Sequence, residues 1–191
     1  MKILREVAIT VLIALAVFAV LRLTMQSYTV VMSSMEPNFY QGDCIMVNKV
    51  CYGSAGPQRG QVVVFNPPFE SAHPFIKRVI GTEGDKIEIK NKKIFINDKQ
   101  YSDNFGVYSD NVVYPSSLQP RDNFGPVVVP PNAVFVMGDN RDESADSRFW
   151  GFVDLKDVEG KALIIYWSWN SEEKEDILWK LRWNRLGNLL Y

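Results

Sequence analysis

Three stretches carry side chains whose types and spacing could do chemistry: "SSMEP" at 33–37, "PFIKRVIG" at 74–81 and "GDNRDESADSRFWGF" at 138–152. The third packs six charged side chains, two arginines against four acids, between apolar "AVFVM" and "FVDL". A solvated loop accounts for each charge singly, since charges are readily exposed. It does not account for the alternate spacing of Asp146 and Arg148, or for the small residues threaded between the charges, which suit chain crowding round a buried point. Taken alone, the other two stretches are also ordinary. A serine before Met-Glu-Pro is a turn residue, and Lys77 in a strand is a gatekeeper against edge pairing.

Together they suggest nucleophilic catalysis. A serine hydroxyl attacks poorly until a base takes its proton, and the single histidine, His73, stands in no comparable context, so the base must be another group. Strand alternation puts Phe75, Lys77 and Val79 on one face. A lysine buried among such neighbours is pushed toward its neutral form, in which it can accept a proton.

The rest of the chain must position these groups. Its 191 residues allow one domain with a sizeable core and a tail. Basic and acidic residues, 21 and 22, nearly balance to a net charge of -1, with no basic stripe, which argues against nucleic acid as a partner. Cys44 and Cys51, seven apart in one strand-like run, would stand about 23 Å apart on opposite faces, so they read as free thiols; with one histidine, no metal site is expected. The N-terminus carries Lys2 and Arg5, then an uncharged run from Val7 to Leu21 that extends to Met25 if Arg22 snorkels to the headgroups. No small-x-small cleavage signal follows, so residues 7–25 read as an uncleaved membrane anchor, with 1–6 cytoplasmic and 26–191 across the bilayer. The body reads as all-β. Seven β-branched or aromatic runs, from "DCIMVNKV" to "KALIIYWSW", are separated by turn residues, which predicts an antiparallel sheet or partly open barrel. The clearest hairpin sets Ile87 and Ile89 against Ile94, Phe95 and Ile96. Residues 97–126 read as irregular, an excursion facing substrate, and the tail from Glu172 as a short amphipathic helix whose tryptophans sit in the core or at a membrane interface.

In order and spacing, anchor, "SSMEP", "FIKRVIG" and "GDNRDESADSRFWGF" resemble the bacterial type I signal peptidases, the Ser/Lys-dyad leader peptidases. The resemblance runs from the anchor to "LRWNRLG". It implies that Ser34 is the nucleophile, Lys77 the general base and Ser144 the hydroxyl that orients the lysine amine. Arg78 with Asp139, and Asp146 with Arg148, match the family's supporting ion pairs; two apart on an extended chain, the latter two project to the same side. The implied partners are preprotein signal peptides and a lipid bilayer, with no cofactor, metal or nucleic acid. The implied place is a single-pass position in a plasma or thylakoid membrane. Substrate would add as a strand beside "SSMEP", small side chains entering shallow pockets walled by Met35 and Ile76. One departure stands out. Where many members have glycine or serine two residues before the nucleophile, this chain has Met32, which carries no hydroxyl for an oxyanion hole, leaving backbone N–H groups or Ser33 to substitute. Removing one such donor costs about 2.7–4 kcal/mol of transition-state stabilisation. A LexA-like self-cleaving Ser/Lys protein is a weaker match, since such proteins lack a membrane anchor and usually carry a DNA-binding module, and neither condition is met here; a catalytically impaired, membrane-tethered binding module is the other alternative.

Overall fold

Helix α1 (Lys2–Thr24) is apolar all round and exposed along its whole length, with a window of mean hydropathy 2.5. The computed structural model describes residues 2–53, 55–170 and 181–188. At 1.5 Å per residue, 23 residues extend about 34 Å, enough to cross a bilayer. A helix with no polar face from Val7 to Leu21 and, among the described residues, no buried side chain suits a lipid surround. Its last turn carries Arg22, where a cation meets the negative end of the helix dipole.

Strand β1 (Met25–Thr29) follows α1 without a linker and pairs antiparallel with β2 (Asp43–Asn48), Tyr28 opposite Ile45. Met25, placed in the anchor by its hydropathy, thus starts a strand. The central strand β11 (Val158–Ser168) pairs with β2 on one side and with β3 (Val62–Phe65) on the other. Its register slips at three places, and such bulges bend and twist a strand. At Gly160 an added Cβ would stand 2.3 Å from the Asn48 carbonyl oxygen, so only glycine lets the strands close up there. Beyond β3 lie β4 (Phe75–Gly81), β9 (Ala133–Met137) and β10 (Val153–Asp154), completing a curled seven-stranded sheet that forms a half-barrel. A second sheet orders β7 (Lys99–Gln100), β6 (Lys93–Ile96), β5 (Lys86–Lys90) and β8 (Phe124–Val128). The expected hairpin is β5–β6, Ile87 opposite Ile96 and Ile89 opposite Ile94. It turns through Asn91 and Lys92, both at positive φ, matching the right-handed strand twist.

Strand β9 shows why no alternation was visible in "AVFVM". Ala133, Phe135 and Met137 join one core cluster while Val134 and Val136 join another, so both faces are buried. A third cluster fills the half-barrel with Val30, Met35, Phe39, Ile45 and Val64 among others. Strand β2 stops at Asn48, so Cys51 lies beyond it; both cysteines are free. Residues 97–126 contain β7 and the start of β8 and are otherwise turns and loops, apart from a bridge between Val107 and Asn140. Of the tail expected to be helical, residues 171–180 and 189–191 lie outside the described residues, and Trp183–Arg185 form a single 3-10 turn.

Candidate active site

Ser34 sits in a one-turn 3-10 helix, Ser33–Met35, closed by the Glu36 N–H donating to the Ser33 carbonyl at 3.0 Å. Met35 and Phe39 are fully buried on either side of Pro37. Burying such side chains contributes about 1.5–3 kcal/mol each, which pins the turn to the half-barrel core. Lys77 comes from β4 opposite Val63, on the same face as Phe75 and Val79, as alternation predicted. It is 1 % exposed, and its Nζ lies 2.5 Å from Ser34 Oγ. Burial lowers the Lys77 pKa from 10.5 to about 8, against the pull of Asp146 and Asp139 and with help from Arg148.

Those two carboxylates decide what the lysine can do, because an unpaired acid nearby would favour its ammonium. Neither is unpaired. Arg78 Nε and Nη2 donate to Asp139 at 2.7 and 2.6 Å, and Arg148 Nε and Nη2 donate to Asp146 at 2.8 and 2.7 Å. Both expected ion pairs are present as bidentate forks, the strong form of the contact. The geometry of the second differs from the expectation. Asp146 caps a short helix α2 (Ser147–Trp150), accepting from the Arg148 N–H at 3.2 Å, so the two residues meet across a helix start and not along an extended strand. Burial alone would raise the Asp146 carboxyl, but Arg148 and the Gly138 N–H hold it below the ordinary carboxylate range.

Ser144 is buried beside this turn, yet its Oγ forms no hydrogen bond, so the bond expected from it to the lysine amine is not made here. The Lys77 amine is turned to Ser34 instead. Ser33 is exposed and lines the cleft with Met32 and Ser34. Two adjoining cavities of about 420 Å³ each flank the dyad and share Val31, Met32 and Phe75. Ile76 lines the outer one, as expected of a pocket wall; Met35 lines neither, because the 3-10 turn points it into the core. Two strand edges face this cleft. Among the described residues β1 pairs only with β2, and β4 meets β9 only from Arg78 onward, leaving the Phe75–Lys77 edge open.

Several residues that hold the site together carry little sequence signal. Gly138 lets the charged loop touch the Ser34 turn: a Cβ there would lie 2.2 Å from Ser144 Oγ and 2.4 Å from the Ser34 carbonyl oxygen. Its place at the end of an apolar strand was the available hint. The Asn140 N–H donates to the Ser34 carbonyl at 3.1 Å. Asn38 Nδ2 reaches Asp139 Oδ2 at 2.9 Å and the Phe105 carbonyl at 3.1 Å, and the Phe105 ring lies 3.8 Å from the Arg78 guanidinium. Among the described residues no group of three or more His, Cys, Asp and Glu is arranged to hold a metal.

The family described as signal peptidase, peptidase S26, matches residues 3–167. The chain is 34% identical to signal peptidase I of Aquifex aeolicus over 82% of this chain and 81% of that protein. It is 35% identical to signal peptidase I P of Bacillus subtilis subsp. natto over 82% of this chain and 85% of that one. It is also 35% identical to a probable signal peptidase I-2 of Synechocystis over 71% of this chain, spanning 60% of that protein's length. A family match over most of the chain, together with the β half-barrel behind an apolar helix, supports a signal peptidase-like hydrolytic role: the chain belongs to the signal peptidase family, peptidase S26.

Proposed function

We propose that the chain is a membrane-anchored serine endopeptidase that removes signal peptides from translocated preproteins after small residues of the Ala-x-Ala type. One observation carries the reading: a buried amine whose pKa is lowered to about 8, 2.5 Å from Ser34 Oγ. With Lys77 neutral, the Ser34 O–H donates to Nζ and gives up its proton as Oγ attacks the scissile carbonyl. The carbon–nitrogen bond breaks as the Lys77 ammonium protonates the leaving amine, leaving an acyl-enzyme ester. Neutral Lys77 then takes a proton from water as its oxygen attacks the ester carbon; the ammonium returns that proton to Ser34 Oγ as the ester C–O bond breaks, releasing the new C-terminal carboxyl group and restoring the neutral amine. Ser144, a buried hydroxyl without a partner, takes the lysine amine when Ser34 turns to the substrate. Ser33, exposed in the same cleft, supplies the oxyanion donor that Met32 lacks.

The substrate enters as a strand between the open edges of β1 and β4, its small side chains directed toward the outer cavity walled by Ile76. Helix α1 stays as the anchor in a plasma membrane, Lys2 and Arg5 on the cytoplasmic side and residues 26–191 across it. The test uses the full chain in detergent with a preprotein carrying Ala-x-Ala. Ser34→Ala and Lys77→Ala each abolish cleavage, and the wild-type rate rises about tenfold from pH 7 to pH 9 as the lysine loses its proton. Substantial cleavage by either variant, or a flat profile, overturns the assignment.

A further inference from the structure

The cleft at the dyad has two unlike ends. Val31, Met32 and Phe75 line it and the outer cavity alike, whereas Gln41, Glu143 and Ala145 line only the dyad cavity. The shared end leads to β1, which continues directly from α1. A signal peptide is itself held in the bilayer, so its cleavage segment emerges as α1 does and occupies the end next to β1. The chain beyond the scissile bond then leaves past Gln41, Glu143 and Ala145. Among the described residues lining this cavity, Glu143 is the single carboxylate. The neighbouring acids point elsewhere: Asp139 and Asp146 are forked by Arg78 and Arg148, and Asp142 accepts from Lys92. Arg182, which donates to the Gln41 carbonyl, faces Asp43. Lys77 must be neutral to act, so it offers no opposing charge. Glu143 is also firmly placed, its N–H donating to the Asn140 carbonyl at 3.3 Å while the Asn140 N–H holds Ser34.

We infer that Glu143 selects substrates by the charge of the residue immediately after the scissile bond, favouring lysine or arginine and disfavouring aspartate or glutamate. The inference rests on the endopeptidase reading and adds the determinant on its leaving-group side. Because Glu143 is exposed, the attraction is that of a surface ion pair, about two- to five-fold in kcat/KM, and it shrinks as salt screens it.

The experiment takes three preproteins identical except for Lys, Gln or Glu at the first position after the cleavage site, cleaved by the full chain in detergent at low salt. The Lys-to-Glu ratio of kcat/KM is read within each enzyme, so any general loss of activity cancels. Wild type shows a ratio of about two to five, Glu143→Gln brings it near one, and Glu143→Lys inverts it. A wild-type ratio near one, or a ratio that survives Glu143→Gln, overturns the inference while leaving the endopeptidase reading intact. Failure of wild type to cleave any of the three overturns that reading and this inference with it.

Discussion

Lys77 and Lys92 are two buried or nearly buried lysines of one domain with opposite titration. At Lys77 burial wins and the pKa falls to about 8. At Lys92 burial also works against the charge, but hydrogen bonds to Asp110 and Asp142 outweigh it and the pKa rises. Lys92 donates to Asp110 Oδ1 and Asp142 Oδ1 at 2.9 Å, in a cluster that also holds Arg121. Acids stand near both lysines. The difference is direct contact: Asp110, although also forked by Arg121, and Asp142 accept from the Lys92 amine, whereas the Lys77 amine meets Ser34 while Asp139 and Asp146 are held by Arg78 and Arg148. One lysine is left with a lowered pKa beside Ser34; the other fastens the 97–126 excursion to the charged loop. Arginine charge thus offsets carboxylates that would otherwise favour the ammonium form of Lys77.

The comparison breaks most severely at Arg148. Arg148→Ala leaves Asp146 buried without its partner, which costs about 3–5 kcal/mol of stability. It also exposes Lys77 to an uncompensated acid, so the rising limb of the pH–rate profile moves above pH 8. Urea unfolding and rate profiles of this variant and of the milder Arg148→Lys check both effects, and an unmoved limb in a folded variant refutes the shielding role. Next comes Lys77→Met, which abolishes cleavage yet stabilises the fold. A drop from 10.5 to about 8 corresponds to about 3 kcal/mol against the charged amine. The folded pKa lies below the unfolded one, so the unfolded chain binds more protons between about pH 8 and 10.5, and wild-type stability rises with pH across that window. The methionine variant is therefore more stable by about 3 kcal/mol at pH 7, and the gap closes on the way to pH 10.5. Denaturation at several pH values measures it; equal stability at pH 7 would deny that the lysine is strained by its surroundings. Lys92→Met does the reverse, costing about 2 kcal/mol while leaving the rate limb in place. A shifted limb in this variant would mean the two regions are electrically coupled. Smallest in stability is Ser144→Ala, within about 0.5 kcal/mol because the hydroxyl lacks a partner, but with a lowered kcat at unchanged KM. Unchanged kcat removes Ser144 from the proton path.

Much of this architecture was legible because it repeats locally. Alternation placed Lys77 with Phe75 and Val79, and turn residues marked the β5–β6 hairpin. Strand β1 was not legible, since "MQSYT" is an edge strand with a half-exposed, mixed pattern running on from an apolar helix. The Asp146–Arg148 pair was found by type and spacing, but its helix-cap geometry was not, because α2 is only four residues long. Met35 was misplaced as a pocket wall because a single 3-10 turn reverses which side chains face inward. The anchoring of residues 97–126 was hidden for a different reason. Its bonds join residues far apart, such as Asp110 with Asp142, and polar pairs of that kind have no period to detect.

The direct join of α1 to β1 sets a leash. Ser34 follows Thr24 by ten residues, so even a fully drawn-out chain could carry the hydroxyl no more than about 35 Å from the end of the helix. Pairing of β1 with β2, and the Lys49 N–H donating to the Thr24 carbonyl at 2.9 Å, take away the slack. On the endopeptidase reading proposed above, a bond to be cut would have to present itself close to the lipid, and a preprotein whose small residues sit well beyond that reach would escape, whatever its side chains.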